Sequence, residues 1–305
     1  MRTKLGVSRI MVVLMLVALL LSACGPAPTA TPVPPTATPI PPTATPKPAL
    51  NLAAAIGTYL SALPDGWGTI KPAALQEQMA AAKPFILDLR QPAEITETIQ
   101  SAVNISIRDL AKNLDKLPAK DQPIVTICAV GHRGGMAMMV LQMLGYTNVK
   151  SLAGGLNAWK AANLPVVSAT AALPAAGKAP DVDKDLLAAF DKYLSALPDG
   201  WGTVKPAALQ EQMAAAKPFI LDLRQPAEIT ETIQSAVNIS IRDLTKSLDK
   251  LPAKDQPIIT ICAIGHRGAM AMMALQMLGY TNVKSLAGGL NAWKAANLPV
   301  VSVAK

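Results

Sequence analysis

The chain contains one domain-sized segment twice. Residues from Tyr59 to Ser168 return 134 positions later with few changes, so that Tyr59 corresponds to Tyr193, Asp88 to Asp222, Cys128 to Cys262 and Trp159 to Trp293. Most of the differences are mild, such as Ile70 to Val204, Val130 to Ile264 and Val140 to Ala274. A period this long marks a domain repeat rather than a solenoid unit, and 305 residues are enough for two ordinary domains. The Ala- and Pro-containing stretch 169–183 is expected to link a first domain, residues 50–168, to a second, residues 184–305.

Within a repeat, helical and strand signals alternate. A helix runs towards Leu63, and Pro64-Asp65-Gly66 makes a turn. Pro72 to Ala82 reads as a helix with proline near its start. Phe85–Leu89 and Val103–Ile105 read as strands, and Leu110–Leu117 as a helical piece. An apolar β-branched run, Ile124 to Cys128, follows Pro123 and reads as a buried strand. A helix is expected from Met136 to Leu144, ended by Gly145, then a strand over Val149–Leu152 and a closing helix around Trp159. This alternation predicts an α/β domain with a mainly parallel sheet flanked by helices. In such folds sites gather at the carboxyl ends of strands, where Cys128 and Cys262 lie.

The most informative stretch is Cys128-Ala129-Val130-Gly131-His132-Arg133-Gly134, with its copy Cys262-Ala263-Ile264-Gly265-His266-Arg267-Gly268. A loop entering a helix points backbone N–H groups at one centre, and the helix dipole adds partial positive charge there. A cysteine at the mouth of such a loop is expected to be partly thiolate near neutral pH. Arg133 and Arg267 add charge and a planar fork for an oxyanion. The arrangement describes a nucleophilic sulfur beside an anion pocket, whose substrate carries an electrophilic atom next to negatively charged oxygens or sulfurs.

The stretch resembles the active-site loop of the rhodanese family, the thiosulfate sulfurtransferases. Leu144-Gly145-Tyr146-Thr147-Asn148-Val149 and Leu152-Ala153-Gly154-Gly155-Leu156-Asn157-Ala158-Trp159 resemble its last strand and following helix. Leu87-Asp88-Leu89-Arg90 with Glu94 resembles its Asp-x-Arg segment, and Val103-Asn104-Ile105 its next strand. The resemblance covers nearly all of each repeat. It implies that Cys128 and Cys262 take up a sulfane sulfur as a persulfide and pass it to cyanide or a thiol, with residues 129–134 and 263–268 holding the donor anion, thiosulfate or polysulfide. It implies no cofactor. Glu97-Thr98-Ile99-Gln100-Ser101 and its copy depart from the Gly-His-Ile-Pro-Gly-like segment usual in the family, which bears on substrate range. Phosphatases of similar fold enclose five residues between cysteine and arginine. Here Cys128 and Arg133 enclose four, which favours sulfur transfer because a tetrahedral phosphate needs a wider cradle.

Other features have simpler readings. His132 and His266 are expected either to contact substrate and tune the thiolate or to sit exposed on the loop. Asp88 with Arg90, and Asp222 with Arg224, read as structural ion pairs holding strand to loop. Met136, Met138, Met139 and Met143 read as core by their helical spacing, and Trp67, Trp159, Trp201 and Trp293 as packing residues. No repeat has a second cysteine, so there is no internal disulfide framework and no CxxC pair, and one repeat cannot assemble the ligands of a structural zinc. A bond between Cys128 and Cys262 would need the two pockets to face each other closely. The net charge of +8 includes Arg2, Lys4 and Arg9, and the remaining lysines form no basic stripe, so nucleic-acid binding is not expected.

Residues 1–23 read as a signal peptide: basic residues precede a short apolar run, Ile10 to Leu21. Leu21-Ser22-Ala23-Cys24-Gly25 resembles the lipobox of bacterial lipoproteins, which implies diacylglycerol on Cys24, a membrane anchor and an extracytoplasmic location. The Pro/Thr/Ala-rich remainder of residues 24–49 cannot build a core and reads as an extended tether. The expectation is thus a lipid-anchored protein with two rhodanese-like domains and two functional sulfurtransferase sites. A cysteine-based phosphatase or arsenate reductase, and a non-catalytic persulfide carrier or binding module, are the alternatives.

Overall fold

The computed structural model describes residues 49–168 and 175–303. The expected signal peptide, Cys24 and nearly all of the Pro/Thr-rich tether lie outside the described residues. Among the described residues no helix is long and apolar enough to cross a membrane.

In the first repeat the elements run α1 (Leu52–Ser61), β1 (Thr69–Ile70), α2 (Pro72–Ala81), β2 (Phe85–Asp88), β3 (Glu97–Thr98), β4 (Val103–Asn104), β5 (Ile124–Ile127), α3 (His132–Met143), β6 (Val149–Leu152), α4 (Gly155–Ala161) and β7 (Val167–Ser168). The second repeat follows the same order: α5 (Lys184–Ser195), β8 (Thr203–Val204), α6 (Pro206–Ala215), β9 (Phe219–Asp222), β10 (Glu231–Thr232), β11 (Val237–Asn238), β12 (Ile258–Ile261), α7 (His266–Met277), β13 (Val283–Leu286), α8 (Gly289–Ala295) and β14 (Val301–Ser302). Each repeat has a parallel five-stranded sheet, ordered β1-β6-β5-β2-β4 in the first and β8-β13-β12-β9-β11 in the second. The expected α/β class, two parallel sheets flanked by helices, is the observed one. The helical piece expected over Leu110–Leu117 is two 3₁₀ segments, Ile107–Lys112 and Leu114–Lys116.

Strand β5 is central, with Ile124 opposite both Phe85 and Val149. All four of its residues are buried, which is why the run is apolar rather than alternating. Its side chains still divide by period two. Val125 and Ile127 join an outer cluster with Leu75, Leu156 and Trp159 beneath α2 and α4. Ile124 faces the opposite way, into a core that also contains residues of the second repeat.

That shared core makes the two repeats one body. Helices α3 and α7 pack against each other between the two sheets. Residues His132–Leu141 of α3 are therefore buried on every side, methionines included, so no polar stripe is present in the sequence to mark a solvent face. The first helix of each repeat crosses to the other: α1 packs on the 3₁₀ segment Ile241–Lys246, and α5 on Ile107–Lys112. Arg108 donates to the carbonyl of Leu197 at 2.6 Å and to Asp199 at 2.8 Å, while Arg242 does the same with Leu63 at 2.6 Å and Asp65 at 2.9 Å.

One sequence expectation is corrected here. Helix α3 begins at His132, not Met136, and α7 at His266, not Met270. Gly134 and Gly135 look like loop residues but form the first helical turn, because the helix lies too close to its neighbours for side chains. A Cβ at Gly134 would stand 2.6 Å from Ser151 Oγ, and one at Gly135 2.8 Å from His266 Cδ2.

Candidate active site

Cys128 is the residue immediately after β5, and Ala129 and Val130 lead to Gly131, whose positive φ of 84° turns the chain into α3. The turn is held from behind by Gly154-Gly155. Leu156 N–H donates to Cys128 O at 2.8 Å and Asn157 N–H to Ala129 O at 2.9 Å. Gly155, at φ +61°, must be glycine, because a Cβ there would come within 2.3 Å of Cys128 O and 2.6 Å of Gly131 N. Thr126 Oγ1 donates to Gly134 O at 2.9 Å, tying the helix start back to the strand. The N–H groups of residues 129–134 donate to no acceptor among the described residues. They are the unsatisfied donors of a helix N-terminus, gathered next to a cysteine. Cys262 to Gly268 repeats this design, with Leu290 N–H on Cys262 O at 2.7 Å and Gly265 at φ +85°. Both cysteines are free thiols and both are 1% exposed.

Asp88, at the end of β2, lies beside the loop. Its carboxylate accepts from Arg90 Nη2 at 2.6 Å and from Thr98 Oγ1 at 2.8 Å, and Arg90 Nη2 also donates to Glu97 O at 2.7 Å. Asn104 spans the carbonyls of Asp88 and Arg90. This buried ion pair holds strand to loop. Burial works to lower the pKa of Arg90, but the bond to Asp88 and its charge, followed by Cys128 and Glu94, hold it above its ordinary value. Arg224 is raised in the same way, with Asp222, Cys262 and Glu228 in the same roles.

Arg133 is 4% exposed, and its fork is already engaged, with Nη1 at 2.5 Å and Nη2 at 3.3 Å from the Glu94 carboxylate. Burial pushes Glu94 up, but hydrogen bonds from Arg133 and from Gln91 N–H, with the charges of Arg133 and Arg90, hold it below the usual carboxylate range. Arg267 and Glu228 repeat the pair at 2.5 Å. The guanidinium expected to face substrate is thus held by an internal carboxylate.

The expectation of exposed loop histidines is also corrected. His132 is 3% and His266 2% exposed, because the other repeat covers them. His132 Nε2 lies 3.0 Å from Trp201 O. Burial lowers the pKa of His132 to about 4, opposed by the Trp201 contact and helped by the charge of Arg133. Burial, then Arg267 and His132, lower His266 to about 3. Both rings are neutral at pH 7.

The structure therefore brings Cys128, the loop amides, Arg133, Asp88 and Arg90 together, and repeats the cluster around Cys262. Sequence reasoning missed the tryptophans. Trp201 lies over Arg133 with the guanidinium carbon 4.3 Å from the ring centre, and Trp67 lies over Arg267 at 4.2 Å. The glycines on both sides, in Gly66-Trp67-Gly68 and Gly200-Trp201-Gly202, were the available signal, since they mark a turn that forces an unusual backbone. Among the described residues no cluster of three metal-ligating side chains is present.

Comparison with known proteins gives the family. The family model described as Rhodanese-like domain matches residues 71–162 and again 205–296. A thiosulfate sulfurtransferase of Azotobacter vinelandii is 26% identical over 252 residues, covering 73% of this chain and 93% of that protein. Human thiosulfate:glutathione sulfurtransferase is 28% identical over 108 residues, 31% of this chain and 94% of that protein. An uncharacterised protein of Synechocystis is 35% identical over 101 residues, 32% of this chain, and the match spans 55% of that protein's length.

Proposed function

On the premise that the chain belongs to the rhodanese-like domain family, with two such domains in tandem, we propose that it is a sulfurtransferase with two working sites. The observation that carries this reading is the set of unengaged amides of residues 129–134 beside Cys128, duplicated at residues 263–268 beside Cys262. Relatives named as thiosulfate sulfurtransferases support the choice of donor.

In the proposed cycle the thiolate of Cys128 or Cys262 attacks the outer sulfur of thiosulfate. The new S–S bond forms as the sulfur–sulfur bond of the donor breaks, and sulfite leaves with the electron pair. Loop amides stabilise the anion as it departs, and Arg90, held by Asp88, adds positive charge near the sulfur. Cyanide or a thiol then attacks the outer sulfur of the persulfide, takes it away and restores the thiolate, which is a ping-pong scheme. The reading is tested by thiocyanate formation from thiosulfate and cyanide. Cys128→Ala together with Cys262→Ala should abolish it, and each single change should leave about half if the sites turn over independently. Aryl phosphate hydrolysis with no thiocyanate would select a phosphatase instead.

The sequence of residues 1–25 supports a further part of the proposal, that the protein is lipid-modified at Cys24 and held at a membrane outside the cytoplasm. Cys24→Ala should then move it from the membrane fraction to the soluble one; an unchanged mature mass with membrane retention would refute lipidation.

A further inference from the structure

Each cysteine loop is open at one end and covered at the other. Ala129 and Val130 are partly exposed, whereas Gly131 to Gly135 are buried. The cover comes from the opposite repeat. The ring of Trp201 lies on the guanidinium of Arg133, its carbonyl faces His132 Nε2 at 3.0 Å, and the guanidinium carbon of Arg108 lies 4.8 Å from the same ring. Trp67 lies in the same way on Arg267 and Arg242, and its indole helps to hold the Glu228 carboxyl below the usual carboxylate range.

The turns that carry these rings are built for the task at a local cost. Trp201 has φ +61° and Trp67 φ +62°, a left-handed backbone that a bulky side chain rarely adopts. Trp201 N–H donates to Pro198 O at 3.0 Å, and Thr203 N–H to Gly200 O at 3.0 Å. Gly202 seats the turn on α7, where a Cβ would stand 2.8 Å from Met272 Sδ. Each tryptophan is thus fixed to its own repeat and presented to its neighbour.

We propose that the two sites are completed crosswise: Trp201 covers and positions the Cys128 loop, Trp67 does the same for the Cys262 loop, and the reactivity of each cysteine is set by the tryptophan of the other repeat. This deepens the sulfurtransferase reading by naming what holds each cysteine loop in place, small sulfur anions entering at the partly open Ala129–Val130 end. A guanidinium held on an aromatic face in a dry setting keeps its position because the contact is electrostatic and poorly screened.

The test needs no sulfur chemistry. In the full-length protein and its Trp201→Ala, Trp201→Phe, Trp67→Ala and Trp67→Phe variants, the alkylation rate of each cysteine by iodoacetamide is followed by peptide-resolved mass spectrometry. Trp201→Ala should speed alkylation of Cys128 about tenfold, equivalent to about 1.4 kcal/mol, with Cys262 within about twofold of its starting rate, and Trp67→Ala should give the mirror result. The phenylalanine variants, which retain a π face, should stay near the parent and keep the test readable if an alanine variant fails to fold. Any other pattern, whether no change, equal change at both cysteines, slowing, or no rescue by phenylalanine, overturns the proposal. If the crossed pattern holds while thiosulfate loads no sulfur, the crosswise sites stand and the sulfurtransferase reading falls.

Discussion

The Cys128 and Cys262 sites differ most where they meet. Their ion pairs are identical, and the strands leading to the cysteines and the loop turns differ only by Val125 to Ile259 and Val130 to Ile264, but at the seam between α3 and α7 the copies diverge. Gly135 lies against His266, with a Cβ there only 3.1 Å from His266 O, whereas the equivalent of Gly135 in the second repeat is Ala269. His132 has the Trp201 carbonyl as partner, while neither ring nitrogen of His266 has one among the described residues. The first helices show the same effect. Gly57 leaves room for Thr245, while the equivalent Asp191 approaches Lys112 at 3.7 Å and the equivalent of Thr245 is Ala111. Duplicated sequence therefore keeps its internal machinery while its contact surfaces specialise for each other, since a seam between unlike copies need not be self-complementary.

The comparison can be broken first where the sites agree. Asp88→Ala leaves Arg90 buried without its partner and should cost about 3–5 kcal/mol in denaturant unfolding, with the same loss for Asp222→Ala. Unequal losses would mean that the two ion pairs do different work.

Acid sharpens the comparison at the seam. Both histidines titrate below their unfolded value of 6.5, His132 at about 4 and His266 at about 3. The unfolded chain therefore binds protons that the folded chain refuses. The stability from neutral burial is fully present above pH 6.5 and is lost as pH falls towards 4, at about 1.4 kcal/mol per pH unit for each ring. His132→Gln and His266→Gln should each flatten the loss over this range. Unfolding curves between pH 7 and pH 4 that kept their full slope in the double variant would place the acid sensitivity elsewhere.

Smaller changes follow from exchanging the seam residues. Gly135→Ala should destabilise by about 1–3 kcal/mol through overpacking against His266. Ala269→Gly should cost less, about 0.5–1 kcal/mol, as the ordinary penalty of glycine within a helix. A Gly135→Ala variant at least as stable as the parent would show that the seam has slack.

Much of this was legible in the sequence, for identifiable reasons. Strand β5 and the cysteine at its end stand out because a strand buried on both faces must be apolar throughout, and the Asp88–Arg90 pair because a charged doublet at a strand end needs a partner. The start of α3 was not legible, because Gly134 and Gly135 carry no helical preference and are there for close approach to Ser151 and His266. The burial of His132 and His266 was hidden for a related reason: the surface that covers them belongs to the other repeat, 134 residues away, and nothing local records it. The Arg133–Glu94 pair joins elements 39 positions apart. The antiparallel ribbons β3–β7 and β10–β14 contain two residues per strand, too few for any periodicity to show.

The most direct test of the central claim is the mass of the intact protein before and after thiosulfate. Two functional sites predict a gain of two sulfur atoms, one per repeat, with one gained in Cys128→Ala or Cys262→Ala, none in the double variant, and all of it discharged by cyanide. No gain with thiosulfate or polysulfide would contradict the account.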